Sequence, residues 1–232
     1  MCGRYAITLP PDAMRAVFDY VEQPNFPPRF NVAPTQPVPV VRLTRHADGV
    51  ARRHFALARW GFIPSFVKDP KDFPLLINTR AETLAEKPSF RNALRRRRCV
   101  LPADAFYEWR RGGATRGRAA KQPFLFRRRD GAPMGFAGLY EVWMGPNGEE
   151  VETACIVTTM ANGPVSAIHD RMPAILDPRD FDAWLDPDAD DSARAARLLR
   201  PAAEDVLEFF EIGPAVGSVA NDSEEIQRPA RA

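Results

Sequence analysis

A cysteine stands directly behind the initiator methionine in "MCGRYAIT". Methionine excision favours a small second residue, and cysteine qualifies. With Met1 gone, Cys2 would carry an α-amine and a β-thiol on adjacent carbons, a 1,2-aminothiol. Such a group traps an aldehyde in two steps. The amine forms a Schiff base, and the thiol then closes on the imine carbon to give a five-membered thiazolidine. An internal cysteine cannot do this, because its nitrogen is an amide. The α-amine has a pKa near 8, so only about a tenth of it is neutral at pH 7. The chemistry therefore calls for a polar side chain to hold the amine, a carboxyl to move protons, and an imidazole to protonate a departing oxygen.

Three polar motifs lie outside amphipathic rhythm, beside glycine, proline or aromatics, and this chemistry could draw on all of them together. "INTR" places Asn78 and Arg80 after an apolar run. "FYEW" sets Glu108 between Tyr107 and Trp109, whose rings can desolvate the carboxyl and raise its pKa. "AIHDRMP" puts His169 and Arg171 on a turn. Cys99 and Cys155 sit in apolar strand patterns and read as core. His46 and His54 lie in or beside strand sequence with no acidic neighbour and receive no role. The run Arg95–Arg98 reads as a solvated helix end pointing around the axis. Three cysteines without a CxxC pair, and three isolated histidines, predict neither a disulfide framework nor a metal site, and no cofactor is called for.

These residues need a scaffold. The 232 residues are 45% hydrophobic, enough for a sizeable core. Twenty-three prolines against 14 glycines favour stiff loops and edge strands over a helical bundle. "RYAIT", "RRHFALARWGF" and "ETACIVTTM" read as strands, and "CVLPADAFYEW" as a strand interrupted by a turn. "PFLFRR" and "GFAGLYEVW" read as a hairpin around "RDGAP". Helices are expected at "PDAMRAVFDYVEQ", "PSFRNALRRRR", "NGPVSAIH", "PRDFDAWL" and "DSARAARLLR", and a surface loop over Gly112 to Lys121. The fold class is α+β: a single domain with a largely antiparallel, barrel-like β core and peripheral helices. A net charge of +2 does not announce a nucleic-acid binder, so a binding face must come from local arrangement. With no apolar signal or membrane-spanning stretch, a cytoplasmic monomer with reduced thiols is expected, not a membrane protein.

"MCGRYA", "NVAPTQ", "RWGFIPSF", "INTRAET", "RCVLPADAFYEW", "VTTMAN", "IHDRMPAIL" and "AVGSVANDSEEIQRP" together resemble, in order, the SOS response-associated peptidase (SRAP) domain family. The likeness runs over residues 1–229, leaving 230–232 as a tail. It implies a protein that shields abasic sites in single-stranded DNA through a thiazolidine on the N-terminal cysteine, nucleoid-associated when crosslinked. It further implies that Cys2 is the covalent residue and that Asn78 orients its amine. Glu108 would shuttle protons, and His169 would assist ring opening. Arg4, Arg80 and Arg171 would hold phosphates, while Pro34, Trp60 and Gly61 would shape the groove, Trp60 as a stacking surface. Phe66 stands where such proteins often carry tryptophan.

Two rival readings stay open at this level. Cys2 with His169 is a conceivable thiol-peptidase pair, whose mildest form would be self-removal of Met1. A noncovalent reader of single-stranded or modified DNA would leave Cys2 incidental. A minor strand-cleaving lyase activity through the Schiff base accompanies the first reading.

Overall fold

In the computed structural model the described residues are 2–110, 121–186 and 192–230. Thirteen strands are described: β1 (Tyr5–Ile7), β2 (Arg29–Val32), β3 (Pro37–Arg45), β4 (Ala51–Trp60), β5 (Asn78–Arg80), β6 (Arg98–Ala103), β7 (Ala105–Arg110), β8 (Gln122–Arg128), β9 (Met134–Met144), β10 (Glu150–Met160), β11 (Arg171–Pro173), β12 (Ile175–Leu176) and β13 (Leu207–Glu211). Five short helices lie between them: α1 (Pro11–Phe18), α2 (Pro88–Arg96), α3 (Gly163–Ser166), α4 (Phe181–Leu185) and α5 (Ser192–Arg197).

Strands β4, β3, β6 and β9 follow one another by pairing. Strand β10 then pairs with both β9 and β4, so the circuit closes into a five-stranded barrel. Only the β4–β10 seam of that circuit is parallel. Closing so few strands leaves little room inside. A Cβ on Gly138 would fall 2.1 Å from Leu101 and 3.1 Å from Cys99 Sγ. Cys99 and Cys155, both fully buried and unpaired, are small core residues that such a narrow interior accommodates.

An antiparallel sheet, β13-β8-β7-β1-β2, packs against the barrel. Tyr5 and Ile7 of β1, Val32 of β2 and Phe106 of β7 join the barrel side chains in the main core. The opposite face, with Ala6, Ala105, Tyr107 and Leu125, forms a smaller core under residues 212–226. The α+β reading with a barrel-like core therefore matches the architecture. The break within "CVLPADAFYEW" falls at Asp104, where the chain leaves the barrel for the second sheet. Asp104 accepts the backbone N–H of Thr8 and, at 2.9 Å, that of Leu9.

Four expectations are corrected. The segments "PFLFRR" and "GFAGLYEVW" do not form a hairpin: β8 pairs with β7 and β13, whereas β9 pairs with β6, β10 and β12. The helix at Pro11 stops at Phe18, where Asp19 turns left-handed with φ 52°. The Arg95–Arg98 run is not uniformly solvated. Arg95 and Arg96 are exposed, Arg97 binds Glu141 at 2.7 Å, and Arg98 is buried. Arg98 caps the end of α2 through the Leu94 and Arg95 carbonyls and ties it to α4 through those of Trp184 and Asp186. Finally, His54 has an acidic partner: its Nδ1 lies 2.6 Å from Glu22 Oε1, and its Nε2 meets that of His46 at 2.7 Å. The surface-loop expectation for Gly112–Lys121 falls, apart from Lys121, outside the described residues. Among the described residues, no helix is long and apolar enough to cross a membrane.

Candidate active site at the N-terminal strand

Side-chain alternation on β7 decides where Glu108 points. Tyr107 faces the smaller core, so Phe106 and Glu108 face the barrel. The register Tyr5↔Phe106, with Tyr107 N–H donating to Arg4 O at 3.0 Å, lays the residues before β1 alongside Glu108. Cys2 is thereby brought against the carboxyl. Its thiol is fully buried and is pushed up by burial first and by the charge of Glu108 second. Its Sγ donates to Arg4 O at 3.7 Å.

Asn78 comes from the other sheet. Strand β5 adds in parallel to the outer end of β10, with Asn78 opposite Ile156. Its Nδ2 donates to Cys2 O at 2.8 Å, and its buried Oδ1 has no hydrogen-bond partner among the described residues. A buried amide oxygen left bare next to Cys2 is an acceptor awaiting a donor.

His169 sits on the turn between α3 and β11. Asn162 starts that turn by accepting from Val165 N–H at 3.1 Å while donating to Ala202 O at 3.1 Å. The backbone N–H of Arg171 meets His169 Nδ1 at 3.0 Å, and the Arg171 carbonyl lies 3.3 Å from the same nitrogen, so the Arg171 backbone holds the Nδ1 edge of the ring. Nε2 is the nitrogen facing Glu108 Oε2, 4.0 Å away. Asp170 Oδ1 lies 3.0 Å from Nδ1 on the solvent side. Glu108 is itself held above the ordinary carboxyl range, burial outweighing the nearby positive charges. Cys2, Asn78, Glu108 and His169 thus converge from the segment before β1, β5, β7 and the α3–β11 turn.

The expected DNA-contacting residues divide. Arg80 is exposed, and its guanidinium has no hydrogen-bond or ion-pair partner among the described residues. Arg4 is partly buried and donates to Asn31 Oδ1, Val216 O and Gly217 O, binding the N-terminal strand to the C-terminal segment. Arg171 is 5% exposed and bound end-on by Glu82 at 2.8 and 2.9 Å, so it is not presented to solvent. Trp60 is fully buried, its ring edge-on to Tyr5 and its Nε1–H donating to Ile77 O at 2.9 Å. The stacking expectation for Trp60 is therefore not met. Its large ring fills the core and fixes the residue before Asn78. Gly61 takes φ 147° where a Cβ would fall 2.6 Å from Leu75 and 2.7 Å from Arg59. Pro34 is half-buried in the turn that Thr35 N–H ties to Trp60 O at 2.7 Å. The exposed Phe66 meets Phe73 edge-on.

Sequence reasoning passed over Glu82, although it lies inside the quoted "INTRAET". It also missed the fully buried Asn31, whose Nδ2 donates to the carbonyls of Ser218 and Asn221 at 2.9 and 2.7 Å. Both act across more than 80 residues of chain, which leaves no local signature.

This combination of barrel, flanking sheet and N-terminal cysteine has relatives. A family model described as SOS response associated peptidase (SRAP) matches residues 1–219, and the chain belongs to that family. Abasic site processing protein YoqW of Bacillus subtilis (strain 168) is 38% identical over 229 residues, covering 97% of this chain and 98% of the relative. Abasic site processing protein HMCES of Rattus norvegicus is 30% identical over 275 residues, covering 99% of this chain and 76% of the relative. A crystal structure of a protein from Bacteroides thetaiotaomicron superposes with a TM-score of 0.84 at 26% identity, covering 99% and 100% of the two chains.

Proposed function

We propose that this protein processes abasic sites in single-stranded DNA, and that after loss of Met1 it captures the sugar aldehyde on Cys2 as a thiazolidine. The observation that carries the reading is the Oδ1 of Asn78 beside Cys2, without a partner among the described residues, together with Glu108 acting on the Cys2 thiol and His169 4.0 Å from Glu108. That oxygen suits the α-amine freed when Met1 leaves, holding its lone pair toward a carbonyl carbon.

An abasic sugar is mostly a cyclic hemiacetal. His169, as imidazolium, gives its Nε2 proton to the ring oxygen as the ring opens, and Glu108 in its carboxylate form takes the proton of the C1′ hydroxyl. The amine adds to C1′, and protonated Glu108 helps the carbinolamine lose water. The Cys2 thiol then adds across the iminium carbon: the S–C bond forms, the C=N π pair returns to nitrogen, and the thiol proton passes to Glu108. Aldehyde and aminothiol become thiazolidine and one water. A buried carboxyl whose pKa is raised by burial can both give and take a proton in this exchange.

The thiol-peptidase alternative is less well supported, because His169 Nε2 faces Glu108 while Cys2 Sγ donates to Arg4 O. Lyase cleavage through the Schiff base is the minor outcome, since ring closure consumes that intermediate. The test incubates mature protein with a single-stranded oligonucleotide carrying one abasic site, followed by denaturing electrophoresis. A band that resists denaturation, absent with intact DNA and lost in Cys2→Ala, is expected. Salt-sensitive binding with no such band would establish a noncovalent reader instead.

A further inference from the structure

Glu82 stands outside the four residues assigned to the chemistry, yet it closes a chain of contacts that ends on His169. It lies in the turn after β5, four residues beyond Asn78. Its two carboxylate oxygens take Nη1 and Nη2 of Arg171 at 2.8 and 2.9 Å. Nη2 also donates to Thr158 O at 2.6 Å, at the end of β10 where β5 and β11 flank it on opposite sides. Arg171 is two residues beyond His169 and supplies the backbone N–H that fixes its Nδ1. The pair therefore spans the end of β10 and joins the segment bearing Asn78 to the segment bearing His169.

A bidentate, buried guanidinium clamp is directional, unlike an exposed ion pair. It is also ionised at working pH, since Arg171 beside Glu82 holds the carboxyl below the usual range. Strand β11 is only three residues long, so its own ladder gives the His169 turn little purchase.

We infer that Glu82 is a positioning residue for the abasic-site reaction: through Arg171 it holds His169 with Nε2 toward Glu108 and at fixed spacing from Asn78. This rests on the function proposed above. Released from Glu82, Arg171 no longer holds in place the backbone that meets His169 Nδ1. Asp170, Glu108 and the Arg171 guanidinium then compete for the ring.

The experiment compares wild type, Glu82→Gln and Glu82→Asp in single-turnover crosslinking at saturating abasic oligonucleotide between pH 5 and 9. Noncovalent affinity is measured in parallel on a Cys2→Ala background, and melting temperature on every variant. Small misplacements of catalytic groups cost up to about a hundredfold, so Glu82→Gln should crosslink at least roughly tenfold more slowly. Its pH profile should shift, affinity should stay within about threefold, and Glu82→Asp should be intermediate. Wild-type rate and profile in folded Glu82→Gln would overturn the inference, as would a loss confined to affinity. Should Glu82→Gln fail to fold, Glu82→Asp decides, because its shorter side chain stretches the clamp; a wild-type rate and profile there would overturn the inference too. No adduct with the wild-type protein would instead overturn the functional reading, so the two failures are separable.

Discussion

Glu108→Gln should make the protein more stable while removing its chemistry, and the gain in stability should depend on pH. The carboxyl is 3% exposed and its pKa is raised by burial. A raised folded-state pKa means that the native protein holds this proton more tightly than the unfolded chain. The protonated form is therefore the stable one. Its advantage is full below the ordinary carboxyl value of 4.5 and is lost as pH rises through the folded value. Each unit of elevation corresponds to about 1.4 kcal/mol against the ionised form. For a chain of this length 1 kcal/mol moves Tm by about 2–4 °C, so each unit is worth roughly 3–6 °C. Glutamine keeps the shape and the hydrogen-bonding ends without the charge. Thermal melts of the two proteins at half-unit steps from pH 4 to 9 should coincide near pH 4 and then separate, the variant melting higher. The gap should stop growing once Glu108 is fully ionised. Crosslinking at pH 7 should fall by about a hundredfold or more, the scale of general acid–base catalysis. A pH-independent gap, or a variant that melts lower at pH 8, would refute the claim that burial sets this pKa.

Arg80→Ala should weaken noncovalent binding to a single strand and lower the slope of log K against log salt by about 0.7, one phosphate contact, without altering the saturated crosslinking rate. Asn78→Ala removes the bond to Cys2 O and the bare Oδ1, so single-turnover crosslinking should slow while Tm changes by only a few degrees, the bond being worth about 1 kcal/mol. Arg98→Ala strips the carbonyls of Leu94, Trp184 and Asp186 of a charged donor. At about 1.5–3 kcal/mol for each charged bond, differential scanning fluorimetry should show a Tm fall approaching 10 °C or more.

The proposed chemistry was legible because it depends on chain position: only a second-place cysteine becomes an aminothiol. Asn78, Glu108 and His169 were each weak alone, and only a reaction needing all three linked them. Their assembly arises where β5 and β11 flank β10 and β1 lies along β7, pairings between segments up to about a hundred residues apart. Residue types also said too little about partners. Arg80 and Arg171 occupy similar polar motifs, yet one is solvated and the other bound by Glu82, because side-chain direction at a strand edge is set by register. Trp60 resembled a stacking platform in "RWGF", but its place facing Tyr5 puts it in the core. The failed hairpin between β8 and β9 has the same origin. Alternating strands joined by a short turn look alike whether they pair with each other or part into two sheets.

The most direct measurement is the mass of the N-terminal peptide after reaction with an abasic oligonucleotide, without borohydride, followed by nuclease and protease digestion. A Schiff base hydrolyses in that workup, whereas a thiazolidine survives it. Expected is a peptide beginning at Cys2, lacking Met1, heavier by the abasic sugar remnant less one water, with a thiol that no longer alkylates. An adduct on any other residue, retention of Met1 in the adducted peptide, or an adduct seen only after borohydride would contradict the central claim.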